Sequence, residues 1–94
     1  MKILAIEKEC RNTSTENLHS LLKEEAQVVW ALYQQEIIRE IYFRKDQSSA
    51  VLILECESLF QAENVLSTLP LVREKLIFFE LIPLAPYPGF ERLF

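Results

Sequence analysis

Apolar residues recur along the chain in two rhythms, every second position in some stretches and every third or fourth in others. Residues 2–9 set Leu4 and Ile6 against Ile3 and Ala5 before turning charged, which predicts a first strand. Thr13-Ser14-Thr15-Glu16 has capping-box spacing, with Thr13 as N-cap and Glu16 three residues on. Leu18, Leu21, Leu22, Val28, Val29 and Leu32 follow at helical spacing, uninterrupted by Gly or Pro, so a helix runs to about Gln35. The β-branched and aromatic stretch Ile37 to Lys45 predicts a second strand. Asp46-Gln47-Ser48-Ser49 turns the chain into a third, Ala50 to Cys56, making a hairpin. Ser58-x-x-Gln61 opens a second helix, stopped at about Leu69 by Pro70. Leu76 to Ile82 is the last strand. The Pro-rich tail after it continues neither rhythm.

The order βαββαβ is that of a ferredoxin-like α+β fold, with both helices on one face of an antiparallel sheet. At 94 residues the chain is read as a single domain, 1–94, with an extended tail over 83–94. The last strand has two apolar faces: Leu76, Phe78 and Ile82 against Ile77, Phe79 and Leu81. Val51 to Leu54 is likewise apolar throughout. Helices can cover one face only. The same face of a second copy would cover the other, so the expected state is a homodimer, or a larger homo-oligomer, forming a dimeric α+β barrel. The competing arrangement is a monomer whose tail folds back over the open face.

Composition supports this picture. Half the residues are apolar and 11% aromatic, more than so small a body hides alone. Ten basic residues against fourteen acidic give a net charge of −4, and the basic ones do not cluster, so no nucleic-acid partner is expected. The longest uncharged runs, ten residues each, are too short to span a bilayer. The N-terminus lacks a signal-peptide apolar core, which suggests a cytoplasmic protein with its two Cys reduced. The lone His and the single Gly, at position 89, leave no motif for a metal or a phosphate loop, so no metal and no cofactor are expected.

Several residues stand out chemically. Glu25 falls in the middle of the first helix's apolar stripe. A carboxylate there either pairs with a cation such as Arg39 or has its pKa raised by desolvation, as a general base requires. Strand alternation puts Arg39 beside Ile37, Ile41 and Phe43, where it could hold an anionic substrate or neutralise Glu25. Glu36 ends the same helical stripe, where a solvated carboxylate is ordinary. His19, Trp30 and Tyr33 share one flank of the first helix: His19 as a surface residue or binding group, the aromatics as a pocket or interface wall. Glu7 and Glu55 could reach a barrel interior. Cys10 and Cys56 close the first and third strands. In this fold those strands are expected to be parallel neighbours, which puts the two thiols at the same end of the sheet.

The second half resembles the muconolactone isomerase family. Cys56-Glu57-Ser58, Leu66, Leu69-Pro70-Leu71 and Pro83-Leu84-Ala85-Pro86-Tyr87-Pro88 stand where that family carries V-E-S, a short helix ending in L-P-L, and a P-L-A-R-H-P tail. The first half matches through Glu25 and Arg39. The resemblance implies a dimeric α+β barrel, a cofactor-independent isomerase and a tail residue, here Tyr87, near the site. Tyr87 replaces the family His and Pro86 the Arg before it, and a phenol is a poor proton shuttle near neutrality.

Two functions remain. The first is a cofactor-independent isomerase or lyase acting on a small carboxylated or carbonyl ligand, with Glu25 and Tyr87 catalytic and Arg39, Trp30, Tyr33 and His19 binding. The second is a non-catalytic oligomeric binding or scaffold protein of the same fold.

Overall fold

The computed structural model describes residues 1–10 and 18–94. Its elements are strand β1 (Lys2–Glu9), helix α1 (Leu18–Gln34), strands β2 (Ile38–Phe43) and β3 (Ala50–Glu55), helix α2 (Leu59–Leu66), the short helix α3 (Pro70–Arg73), strand β4 (Ile77–Leu84) and a 3-10 turn over Gly89–Leu93. The strands form one antiparallel sheet in the order β2-β3-β1-β4, which is the ferredoxin-like arrangement. The first capping box, Thr13 to Glu16, lies outside the described residues.

The second capping box forms. The Ser58 hydroxyl accepts the N–H of Gln61 at 3.0 Å, and the Gln61 side chain reaches back to the N–H of Glu57. Both α1 and α3 end in a residue with positive φ, Glu36 at 64° and Lys75 at 61°. Ile37 N–H then bonds the Leu32 carbonyl and Glu36 N–H that of Tyr33; Leu76 and Lys75 repeat the pattern on Leu71 and Val72. These are Schellman motifs without the usual Gly.

Three expectations are corrected. Pro70 does not merely stop a helix: it occupies the first turn of α3, where a missing N–H costs nothing. Pro83 and Leu84 continue β4, opposite Ile3 and Lys2, because β4 is an edge strand and an edge tolerates proline. Strands β1 and β3 are antiparallel, with Lys2 opposite Glu55, because the β2–β3 hairpin reverses the chain once after the β1–α1–β2 crossover. Cys10 and Cys56 therefore sit at opposite ends of the sheet.

The core lies between the helices and one sheet face. Ile3, Ala5, Leu52, Leu54 and Ile38 meet Leu32, Ala62, Leu66 and Leu69, with Phe79 and Leu81 packed against them. Leu4, Ile6, Val51, Ile53, Phe78 and Ile82 occupy the opposite face, half-buried at best, with no helix over them. Phe78 keeps 50% of its surface exposed. The second apolar face is thus present and, among the described residues, uncovered.

Candidate functional site

A groove of about 590 Å³ opens between α1 and the edge strand β2. On the helix side its wall is a second apolar flank of α1, carrying Ala26, Val29, Trp30 and Tyr33 at helical spacing. Trp30 and Tyr33 stack, with ring centroids 6.0 Å apart and planes 21° from parallel, and Trp30 is 59% exposed. Arg39, Glu40, Ile41 and Tyr42 form the strand side. A recess of about 330 Å³, lined also by Glu36 and Ile38, shares Trp30, Tyr33 and Arg39 with the groove.

Arg39 owes its position to a β-bulge. The β2–β3 register shifts between Ile38 and Glu40, so Arg39 is the extra residue; Ile38 is fully buried in the core and Ile37 packs against it half-buried. The expected alternation of Ile37, Arg39, Ile41 and Phe43 on one face is corrected accordingly. Arg39 is exposed, and its Nε donates to the Glu36 carbonyl at 2.6 Å. Neither Nη group has a protein partner among the described residues, so a two-pronged donor faces the opening. Glu40 and Tyr42 stand opposite Ile53 and Val51, on the face of β2 away from the helices, where the Tyr42 hydroxyl donates to Glu40 Oε1 at 2.7 Å. That bond, and the negative charge of Glu40, raise the Tyr42 pKa and hold the phenol protonated.

Glu25 is not part of this groove. It accepts the backbone N–H of Leu71 at 3.0 Å, inside the first turn of α3, and does not pair with Arg39. Its pKa is raised, chiefly by burial, against the Leu71 bond that lowers it; Glu7 and Glu24 add to the rise and Arg73 opposes it. Glu7 sits on the helix face of β1 and accepts the N–H of Ala50 at 3.0 Å. Glu55 is exposed at the end of β3.

His19 is exposed near the start of α1, eleven residues before Trp30 and therefore roughly 16 Å away along the helix. Tyr87 stands in the tail, 65% exposed. Its ring lies over Gly89, where an added Cβ would collide with the phenol, and meets Phe90 edge-on at 5.0 Å. Of the residues the sequence singles out, the structure brings together Trp30, Tyr33 and Arg39, and leaves Glu25, His19 and Tyr87 apart from them. Glu40 and Tyr42 were missed. Their spacing of two on one strand was the available signal, hidden behind the apolar neighbours that the strand assignment used.

Among the described residues no group of three His, Cys, Asp or Glu is placed to hold a metal ion, and no helix is long and apolar enough to cross a membrane.

A ferredoxin-like α+β fold with one bare sheet face and an aromatic groove at its edge is the class these features define. The chain is similar in fold to 5-chloro-2-hydroxyhydroquinone dehydrochlorinase from Burkholderia phenoliruptrix, solved in complex with 2,5-dihydroxybenzoquinone. The TM-score is 0.66 at 16% identity, over 95% of this chain and 98% of the other. No protein-family model and no curated protein matches the chain.

Proposed function

We propose that the protein binds a small, planar, anionic carbonyl or enol compound in the α1–β2 groove and moves a proton on it, as a cofactor-independent isomerase or lyase. One observation carries this reading: the stacked Trp30–Tyr33 wall stands in the same groove as an Arg39 guanidinium with two free Nη groups. A flat ring packs on the wall while its oxyanion takes the fork. Glu40 lines the groove from the bare-face side of β2, opposite Ile53, and we give it the role the sequence suggested for Glu25, whose own carboxylate caps α3. Tyr42, kept protonated, supplies a hydroxyl donor to a developing enolate. The ligand of the similar dehydrochlorinase, 2,5-dihydroxybenzoquinone, has the shape and acidity this groove suits. We further place the protein in a reducing compartment as a homo-oligomer closed over its bare sheet face.

Titration with 2,5-dihydroxybenzoquinone, read by the fluorescence of Trp30, the one Trp of the chain, tests the binding step. Saturable quenching is expected, weakened roughly tenfold or more in Arg39→Met, since a hydrogen bond to a charged group contributes about 1.5–3 kcal/mol. Deuterium uptake by a lactone or enol substrate tests the chemistry, and Glu40→Gln should lower it by about two to four orders of magnitude. Unchanged affinity in Arg39→Met would remove the groove as the binding site.

The second reading is an oligomeric binding or scaffold protein without chemistry. It is favoured by the engagement of Glu25 and Tyr87 in contacts within the chain. Binding that survives with no proton exchange in the parent protein selects it.

A further inference from the structure

We infer that a second copy completes the strand side of the site, seating its bare sheet face on this one so that its Glu80 reaches the Tyr42–Glu40 pair. The bare face is apolar in the middle and charged around it. Leu4 and Ile6 of β1 and Val51 and Ile53 of β3 form the centre. Lys2 and Lys8 stand towards the two ends of β1, with Glu55 opposite Lys2; Glu80 lies opposite Ile6 on β4, and Glu40 on the edge strand β2. Counting the Met1 ammonium, 3.9 Å from Glu55, three positive groups balance three negative ones, and Arg44 is matched by Asp46. A neutral face with an apolar centre suits a copy of itself.

Two-fold symmetry offers two ways of stacking aligned faces. With the axis across the strands, each strand lies over its own copy running the other way. Lys2 then faces Lys8 of the second copy, and Lys8 faces its Lys2, two like-charge contacts. With the axis along the strands, every row of the sheet faces the same row of the second copy. Full overlap in the order β2-β3-β1-β4 then puts the axis between β3 and β1, so β1 lies over the second β3 and β2 over the second β4. Lys2 meets Glu55 of the second copy, Leu4 its Ile53, and Ile6 its Val51. Charge selects this second arrangement.

The same rows decide what reaches the site. Tyr42 shares a row with Val51, Val51 with Ile6, and Ile6 with Glu80. Glu80 of the second copy therefore falls over Tyr42, across the roughly 10 Å between packed sheets. Its Ile82 falls over Glu40, through the row of Ile53 and Leu4. Glu80 brings its own Lys8, 3.7 Å away, so no unbalanced charge is added beside Glu40. The Tyr42 hydroxyl gains a second carboxylate neighbour, and Ile82 takes water away from Glu40, which makes that carboxylate the stronger base. The catalytic meaning rests on the role proposed for Glu40; the geometry rests on the bare face alone.

The test uses full-length chains without ligand, so it can fail while the groove still binds, and the reverse. Lys2 and Glu55 are exposed, and changing either spares the core. Lys2→Glu and Glu55→Lys should each weaken self-association roughly tenfold or more in sedimentation, since both interchain pairs become like-charged. Mixing the two variants should restore a dimer near the parent affinity, because each changed side chain then faces its opposite. In a Tyr42→Lys chain, carbodiimide should join the new amine to Glu80 of the other copy, giving a dimer band whose peptides map to positions 42 and 80. A Lys2→Glu chain that dimerises as tightly as the parent overturns the inference, because the axis then runs across the strands. So does a dimer without the 42–80 amide, or a parent that sediments as an 11 kDa species at submillimolar concentration.

Discussion

The Glu25 carboxylate accepts the backbone N–H of Leu71 at 3.0 Å, tying α1 to α3 across 46 positions of sequence. It needs no charge to do so. Burial raises the Glu25 pKa, so the folded state holds the proton more tightly than the unfolded chain. A raised carboxyl pKa makes stability fall as pH rises from the ordinary value of 4.5 through the folded one. Glu25→Gln keeps the acceptor and abolishes the ionisation. The expected gain at pH 7 is roughly 0.5 kcal/mol, or about 2–4 °C in Tm, small because the group is half exposed to solvent. At pH 4 the two proteins should melt alike. A neutral-pH loss of several kcal/mol would instead mean that a cation depends on the Glu25 charge.

Glu36 and Lys75 each close a helix in the left-handed region, which costs an L-residue about 1–2 kcal/mol. Gly recovers most of that and returns part as unfolded-state entropy. Glu36→Gly and Lys75→Gly should each stabilise by roughly 0.5–1 kcal/mol in urea unfolding at constant m. In Glu36→Gly the carbonyl that holds Arg39 is retained, so ligand affinity in the groove should change little.

Phe78 and Phe79 are adjacent and face opposite ways. Phe79 packs on the core, so Phe79→Asp should cost on the order of 3–5 kcal/mol in chemical denaturation. Phe78 is on the bare face. Phe78→Asp should leave the monomer folded by circular dichroism and, with a homo-oligomer as the parent state, reduce it to an 11 kDa species in sedimentation. Equal unfolding of both variants would show that the two faces share one core.

Cys10 and Cys56 are separated by the length of β1, eight residues or about 26 Å. Mild oxidation should therefore produce no bond between them within one chain. Cys56 is buried with its thiol pKa raised, chiefly by desolvation, so alkylation should reach Cys10 first, as peptide mass mapping would show.

The fold was legible because its signals are local and periodic. Ser58-x-x-Gln61 marked a real helix start, and the doubled apolar faces of the third and fourth strands marked a sheet bare on one side. The groove was legible in part. Trp30 and Tyr33 announce a shared flank through their i, i+3 spacing, but Arg39 reaches them through a bulge, and no residue in Ile37-Ile38-Arg39-Glu40 signals one. Glu25 misled for a physical reason. Periodicity reports that a carboxylate enters the apolar layer, but not which backbone N–H, 46 residues away, awaits it there.

The bulge at Arg39 has a second effect, at the scale of many molecules. An antiparallel sheet ends in two strands with unmet N–H and C=O groups, an invitation to fibre growth in a chain half of whose residues are apolar. Here one rim, β2, is kinked at Arg39, and the chain beyond it carries Arg44 and Lys45; the other, β4, is blunted by Pro83. Neither rim offers a long straight ladder to a passing strand. Sticky surface is left on the flat of the sheet, where stacking a single copy uses it up, and is withheld from the rims, where addition could repeat without limit.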